Sequence, residues 1–212
     1  MLFQKEQLFL YAVTDRAWVG KQTLYEQIED ALKGGVTLVQ LREKNMLEID
    51  FIKEAKEIKA LCHRYGVPLI INDNLKVALE SEADGIHVGQ EDMEVAEIRE
   101  IAGVDFIIGA TAKTVEQAQR AEAEGADYIG VGAVFPSPTK KNAIRITNEQ
   151  LREICHSVAI PAVAIGGIDH ANCVELKGCG MSGIAVVSAI FASENITQAA
   201  TQLHEILRNE VM

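Results

Sequence analysis

The sequence predicts a single-domain (β/α)8 barrel of the α/β class, the TIM-barrel architecture, spanning residues 1–212. Three observations point to it. Eight strand-like runs alternate with eight helix-like stretches along the chain, the pattern of a closed parallel barrel. A weak internal repeat recurs at Gly35–Val39, Glu82–Ile86, Gly125–Ile129 and Gly180–Ile184, each a helix end followed by a polar turn and a strand. Those repeats fall on strands two, four, six and eight, as a barrel built from repeated units requires. Finally, the first strand ends Val13–Thr14–Asp15–Arg16, without the glycine-rich turn that usually follows the first strand of an open doubly wound sheet.

The strand-like runs are Phe9–Val13, Val36–Leu41, Pro68–Ile71, Gly85–Val88, Phe106–Gly109, Tyr128–Val131, Ala162–Ile165 and Gly183–Val187. Helix-like stretches lie at Thr23–Lys33, Leu47–Tyr65, Leu75–Glu80, Met93–Ala102, Val115–Glu124, Asn148–His156, Ala171–Lys177 and Ile196–Leu207. In the second, Phe51, Ala55, Ile58, Cys62 and Tyr65 repeat every three to four residues and mark one buried face. Gly66 and Pro68 then stop it. Thr114 with Gln117, and Thr147 with Gln150, are capping-box signatures at two further helix starts.

Composition narrows the function. A net charge of −11 argues against nucleic acid and anionic membrane surfaces as partners, while leaving small anionic substrates open. No stretch approaches the length of a membrane span, and Leu8–Val13 is too short for a signal-peptide core, so a cytoplasmic protein is expected. Cys62, Cys155, Cys173 and Cys179 form no C-x-x-C pair or zinc-site spacing and read as free thiols. The oligomeric state is left open; a homo-oligomer is compatible with everything above.

The second strand carries the functional signal. Alternate side chains of a strand share a face, so Leu38, Gln40, Arg42 and Lys44 point one way, and Val39, Leu41 and Glu43 the other. A strand apolar on both faces early, then cationic on one face at its carboxyl end, delivers positive charge to an open mouth. In this fold chemistry sits on the loops at that end. There the sequence places Asn72 and Asp73 after strand three, Gly89–Gln90–Glu91–Asp92 after strand four, and Thr111 after strand five. Phe135–Lys141 follows strand six, Gly166–Gly167 strand seven, and Ser188 strand eight. Asp73 and Asp92 can share one Mg²⁺, whose octahedron substrate phosphate and water complete. Arg42, Lys44 and Lys140 suit the same anion. Gly166–Gly167 and Val187–Ser188 stand where barrels often hold a phosphate on backbone N–H groups.

Each feature has a plainer reading. Asp73 and Asp92 are also plausible caps of the helices after them. Gly-Gly closes many tight turns, and Lys140–Lys141 suits an ordinary solvated loop. His87 shares the inward face with Gly85 and Gly89 and reads as a hydrogen-bonded interior histidine rather than a catalytic one. What favours a site is the concurrence of these groups at one end of one barrel. The set contains no covalent nucleophile and no acid–base pair; it suits charge stabilisation of a departing phosphate ester.

With these residues in view, the chain resembles the thiamine-phosphate synthase family over nearly its whole length, from Tyr11–Asp15 to Val187–Ile190. The most specific segments are Gln40–Lys44, Ile71–Asn72–Asp73, His87–Asp92 and Thr139–Lys140–Lys141. The resemblance implies joining of a hydroxymethylpyrimidine diphosphate to a thiazole phosphate with release of pyrophosphate, by way of a pyrimidine carbocation. It further implies that Gln40, Leu41, Arg42, Glu43, Lys44, Asn72, Thr111 and Lys140 hold the pyrimidine diphosphate. Of these, Arg42, Lys44 and Lys140 stabilise the leaving group. Asp73 and Asp92 bind Mg²⁺, and Ser137, Pro138, Thr139, Gly167, Val187 and Ser188 hold the thiazole phosphate.

Thr111 and Ser137 exchange one hydroxyl residue for another relative to the family pattern, and Lys113 stands where histidine is frequent. A thiazole tautomerase shares the fold but uses a histidine near the fifth strand, which Lys113 replaces; a non-catalytic sensor of thiamine phosphate lacks any effector segment here. The Phe135–Asn142 loop is the candidate lid.

Overall fold

The computed structural model describes residues 3–136 and 145–212. Eight parallel strands close on themselves in sequence order, with β1 hydrogen-bonded to β8. They are β1 Leu10–Val13, β2 Leu38–Leu41, β3 Leu69–Asn72, β4 Gly85–Val88, β5 Ile107–Ala112, β6 Tyr128–Gly132, β7 Ala162–Ile165 and β8 Gly183–Val186. The helices outside the barrel are α1 Leu24–Lys33, α2 Glu48–Arg64, α3 Leu75–Glu80, α4 Val95–Ala102, α5 Val115–Ala123, α6 Asn148–His156, α7 Ser188–Phe191 and α8 Ile196–Ile206. No helix among the described residues is long and apolar enough to cross a membrane.

Strand alternation divides the core in two. Outward side chains such as Leu10, Val39, Leu41, Ile71, Ile86 and Ile129 pack against the helices in one continuous layer. Inward side chains, Tyr11 and Val13, Leu38, Ile70, Ile107, Tyr128, Val163 and Ala185, fill the barrel as a separate cluster with Leu8. Leu8 ends a 3-10 turn, Lys5–Leu8, that precedes β1. Phe3 stacks on the Tyr128 ring at 5.6 Å. The amino-terminal segment therefore plugs the barrel from below, and the open end is the one where the strands finish. Gly109 gives Tyr128 its place: a Cβ there would lie 2.1 Å from Tyr128 Cζ.

The helix boundaries follow local chemistry. Thr23 and Thr147 form reciprocal capping boxes with Glu26 and Gln150. Thr114 caps α5 by accepting from Gln117 N–H, but the Gln117 amide turns to Lys113 N–H, so that box is not closed. The expected helix at Ala171–Lys177 is only a 3-10 turn, Cys173–Leu176. The Asp169 carboxylate accepts from the N–H groups of Ala171 and Asn172, and this local bonding competes with a regular helix start. The fifth strand runs further than expected, through Ala112, which brings Thr111 into the sheet.

Candidate active site

The carboxyl rim gathers the polar side chains of four neighbouring strands. At β1, the Arg42 N–H donates to Thr14 Oγ1 at 2.9 Å, and Arg42 Nη1 lies 3.6 Å from Asp15 Oδ2. At β2, Gln40 faces into the barrel and is almost fully buried, as its parity with Leu38 requires. Leu41 is sealed in the outer layer, and Glu43 turns outward to Arg16, 2.8 Å away. These two residues offer the mouth their backbone, not their side chains.

Asp73 follows β3 in the left-handed region, with φ of 61°. Aspartate tolerates this conformation better than most residues. The Asp73 N–H donates to the His87 carbonyl on β4 at 2.9 Å, which anchors the turn. Its carboxylate accepts from Lys44 Nζ at 2.8 Å. The cap of α3 is Asn74, which accepts from Val77 N–H, so Asp73 is not engaged in capping. Asp92 does not cap α4 either; Glu94 is the N-cap residue there. Instead Asp92 Oδ2 accepts from Gly89 N–H at 2.7 Å, which curls the β4 loop back to the rim.

The two carboxylates feel each other. Loss of solvent around Asp92 raises its pKa, and the neighbouring Asp73 raises it further; the Gly89 N–H and the Lys44 ammonium act in the opposite direction. A pair of like charges with one ammonium against it is a site in want of a second cation. Next to it, the buried Asn72 Nδ2 has no hydrogen-bond partner among the described residues. An orphaned buried donor of this kind is expected where a ligand completes the structure.

Below the rim a line of hydrogen bonds crosses the barrel. Gln40 Nε2 donates to Tyr11 Oη at 2.6 Å, and the Tyr11 and Tyr128 hydroxyls lie 2.8 Å apart. Tyr128 Oη is 3.2 Å from His87 Nδ1, and His87 Nε2 is 3.0 Å from Thr111 Oγ1. Loss of solvent lowers the His87 pKa to about 4, with the Asp73 charge partly opposing, so the ring is neutral near pH 7. His87 is thus the bonded interior histidine its strand parity suggested. The partners Tyr11 and Tyr128 escape sequence reading, although a tyrosine inside a small barrel must find its hydroxyl a partner.

On the far side of the mouth, Gly167 follows β7 with φ of 67°, and its carbonyl accepts from Asn172 Nδ2 at 2.9 Å. A Cβ at Gly167 would lie 2.2 Å from the Pro136 carbonyl oxygen, so glycine lets the β6 and β7 loops touch. Val187 and Ser188 open α7 directly after β8. Ser137, Pro138, Thr139 and Lys140 lie outside the described residues, as does most of the candidate lid.

The profile of the thiamine monophosphate synthase family matches residues 10–190. The thiamine-phosphate synthase of Ruminiclostridium cellulolyticum is 48% identical over 95% of this chain and 96% of its own, and that of Clostridium acetobutylicum is 45% identical over 94% of each. The solved thiamine phosphate pyrophosphorylase of Pyrococcus furiosus superposes with a TM-score of 0.91 at 38% identity, covering 98% of this chain and 99% of its own. The chain belongs to the thiamine-phosphate synthase family. Membership makes it a transferase of thiamine biosynthesis. Its family-like segments at Gln40–Lys44, Asn72–Asp73 and Gly89–Asp92 are the ones that meet at the rim.

Proposed function

We propose that this rim condenses 4-amino-2-methyl-5-(diphosphooxymethyl)pyrimidine with a thiazole phosphate, releasing pyrophosphate and forming thiamine phosphate. The observation that carries the reading is the meeting of Lys44, Asp73 and Asp92, from three successive strand ends, around one spot at the barrel mouth.

Two adjacent carboxylates, one already holding an ammonium, fit a Mg²⁺ that takes its remaining ligands from water and substrate phosphate. Mg²⁺ bound by Asp73 and Asp92 supplies charge neutralisation for the leaving diphosphate. Arg42 and Lys44 hold the diphosphate oxygens, and Lys140, which follows β6 in the sequence, serves the same anion. The orphaned Asn72 Nδ2 donates to the same anion. Leu41 and Glu43 contribute backbone to the pyrimidine diphosphate site. Gln40 and Thr111 border it from the two ends of the buried hydrogen-bond line.

Across the mouth, Gly167, Val187 and Ser188 take the thiazole phosphate, with Ser137, Pro138 and Thr139, which follow β6 in the sequence, assigned to the same group. The substitution is dissociative: the bond from the pyrimidine methylene to the diphosphate oxygen breaks, the oxygen keeps the electron pair, and the thiazole nitrogen captures the cation. Such a step needs a neutralised leaving group and an aligned acceptor rather than an enzyme nucleophile. Consistent with that, all four cysteine thiols are buried and free.

The test mixes both substrates with Mg²⁺ and measures pyrophosphate. Release that requires both substrates supports the synthase. Isomerisation of the thiazole phosphate alone identifies a tautomerase, and binding of both without turnover identifies a sensor; either outcome rejects the proposal.

A further inference from the structure

The buried line from Gln40 to Thr111 has four links and three interior members: Tyr11, Tyr128 and His87. Each link needs one proton. Each tyrosine hydroxyl brings one, and an imidazole with a single N–H brings one. Three protons serve four links, so one end must supply the fourth. If Gln40 donates, every bond points toward Thr111: Tyr11 donates to Tyr128, Tyr128 to His87 Nδ1, and His87 Nε2–H to Thr111. If Thr111 donates, every bond reverses. A mixed arrangement leaves a link without a proton or sets two protons against each other. Burial makes that unfavourable, because Tyr11 and Tyr128 are sealed from solvent.

The two polarities show different faces to the mouth. In the first, Thr111 accepts from His87 and keeps its own O–H to donate outward, while Gln40 keeps its carbonyl oxygen and one N–H. In the second, Thr111 offers only lone pairs, and Gln40 offers its two N–H groups. A phosphate oxygen accepts but does not donate, so a diphosphate at Thr111 selects the first polarity. The amide face left at Gln40, one acceptor beside one donor, matches an amino group beside a ring nitrogen on an aminopyrimidine.

We propose that Tyr11, Tyr128 and His87 are positioning residues that form a proton-ordered wire, through which diphosphate at Thr111 holds the Gln40 amide with Nε2 on Tyr11, the orientation the structure already shows and the one that receives the aminopyrimidine. The wire couples recognition of the substrate's two halves across the barrel. The inference rests on the substrate reading above.

Two measurements test it on the full-length protein. The first is the ¹⁵N spectrum of histidine-labelled protein saturated with Mg²⁺ and pyrophosphate, the His87 signals being assigned by their loss in His87→Asn. The wire requires the Nε2–H tautomer in that complex; the Nδ1–H tautomer or a doubly protonated ring overturns it. The second is titration with the free alcohol, 4-amino-5-hydroxymethyl-2-methylpyrimidine, with and without saturating Mg²⁺-pyrophosphate. The native protein should bind the alcohol at least about five-fold more tightly with pyrophosphate present, the scale of an ordinary coupling free energy. Tyr128→Phe keeps the ring and cuts the wire, so it should bind the alcohol with that ratio reduced to about one. Thr111→Ser should retain the ratio and Thr111→Val should lose it. An unchanged ratio in Tyr128→Phe, or no coupling in the native protein, overturns the wire. Where Tyr128→Phe does not fold, Tyr11→Phe makes the same cut, and the tautomer measurement needs neither of these variants. Pyrophosphate binding without alcohol binding refutes the pyrimidine assignment at Gln40, and the tautomer then judges the wire separately.

Discussion

Lys44→Met separates a binding cation from a structural strut. Lys44 Nζ sits 2.8 Å from Asp73 Oδ2, but 52% of the Lys44 side chain and 29% of the Asp73 side chain remain exposed. A pair this open to water contributes about 0–1 kcal/mol, and Asp73 can rehydrate when its partner goes. Urea unfolding should therefore show a stability change within about 1 kcal/mol. Binding should behave differently. A charge-assisted hydrogen bond from an ammonium to a diphosphate oxygen contributes about 1.5–3 kcal/mol. At 1.4 kcal/mol per decade, its loss weakens pyrophosphate binding roughly 10- to 150-fold. Mg²⁺ alone should bind as tightly as to the native protein or several-fold more tightly, because the ammonium that competes for Asp73 is gone. Calorimetric titrations of Mg²⁺, and of pyrophosphate with Mg²⁺, read the two effects, which have opposite signs. Unchanged pyrophosphate affinity, or a stability loss above about 2 kcal/mol with both affinities falling together, would refute the assignment and make Lys44 a strut.

Four further outcomes are expected. Arg42→Ala should raise KM for the pyrimidine diphosphate with little change for the thiazole phosphate; steady-state kinetics showing an effect on the thiazole phosphate alone would mean the two anion sites are reversed. Gly167→Ala should destabilise the fold by about 2–4 kcal/mol in urea, because φ is 67° and the new Cβ would lie 2.2 Å from the Pro136 carbonyl oxygen. His87 has its pKa lowered to about 4, so between about pH 6.5 and 4 the unfolded chain binds the proton that the folded chain refuses, and stability falls as pH falls through that window. His87→Gln should remove about 2–3 kcal/mol of that slope, read by urea melts at pH 7 and pH 4. Burial pushes the Cys62 and Cys155 thiols up to about 12, so a disulfide reagent at pH 8 should leave both unmodified until the protein is unfolded.

Much of this site was legible because strand parity is a strict rule. The alternation along Leu38–Gln40–Arg42 put Gln40 inward, and it is inward, bonded to Tyr11. The same rule set Val39 and Leu41 against the helices, where they are. Strand order alone placed Asp73 and Asp92 at adjacent strand ends, and the two carboxylates do interact. What parity cannot show is which inward side chains meet across the barrel. Tyr11 and Tyr128 are 117 residues apart, and closing the sheet brings their hydroxyls to 2.8 Å. In the sequence each looks like one more apolar core residue. Asp15 was missed for a related reason: it lies beyond the end of β1, where its approach to Arg42 depends on the 3-10 turn Arg16–Trp18 that follows.

On the proposed reading, the charge pattern of the rim makes binding of the metal and of the anion interdependent. Arg42 is already opposite Asp15, and Lys44 opposite Asp73, while Asp92 adds a further carboxylate. Among the described residues these three acids outnumber the two bases, on a chain that carries −11 overall. Mg²⁺ alone meets Asp73 only in competition with Lys44. When both bind as proposed, Lys44 would exchange the Asp73 carboxylate for a phosphate oxygen, and Asp73 and Asp92 would be left to hold the metal. Each ligand thus removes the obstacle to the other. On that reading the acidic rim would make capture of the diphosphate conditional on its metal, so that positive charge is in place before the bond to the pyrimidine breaks.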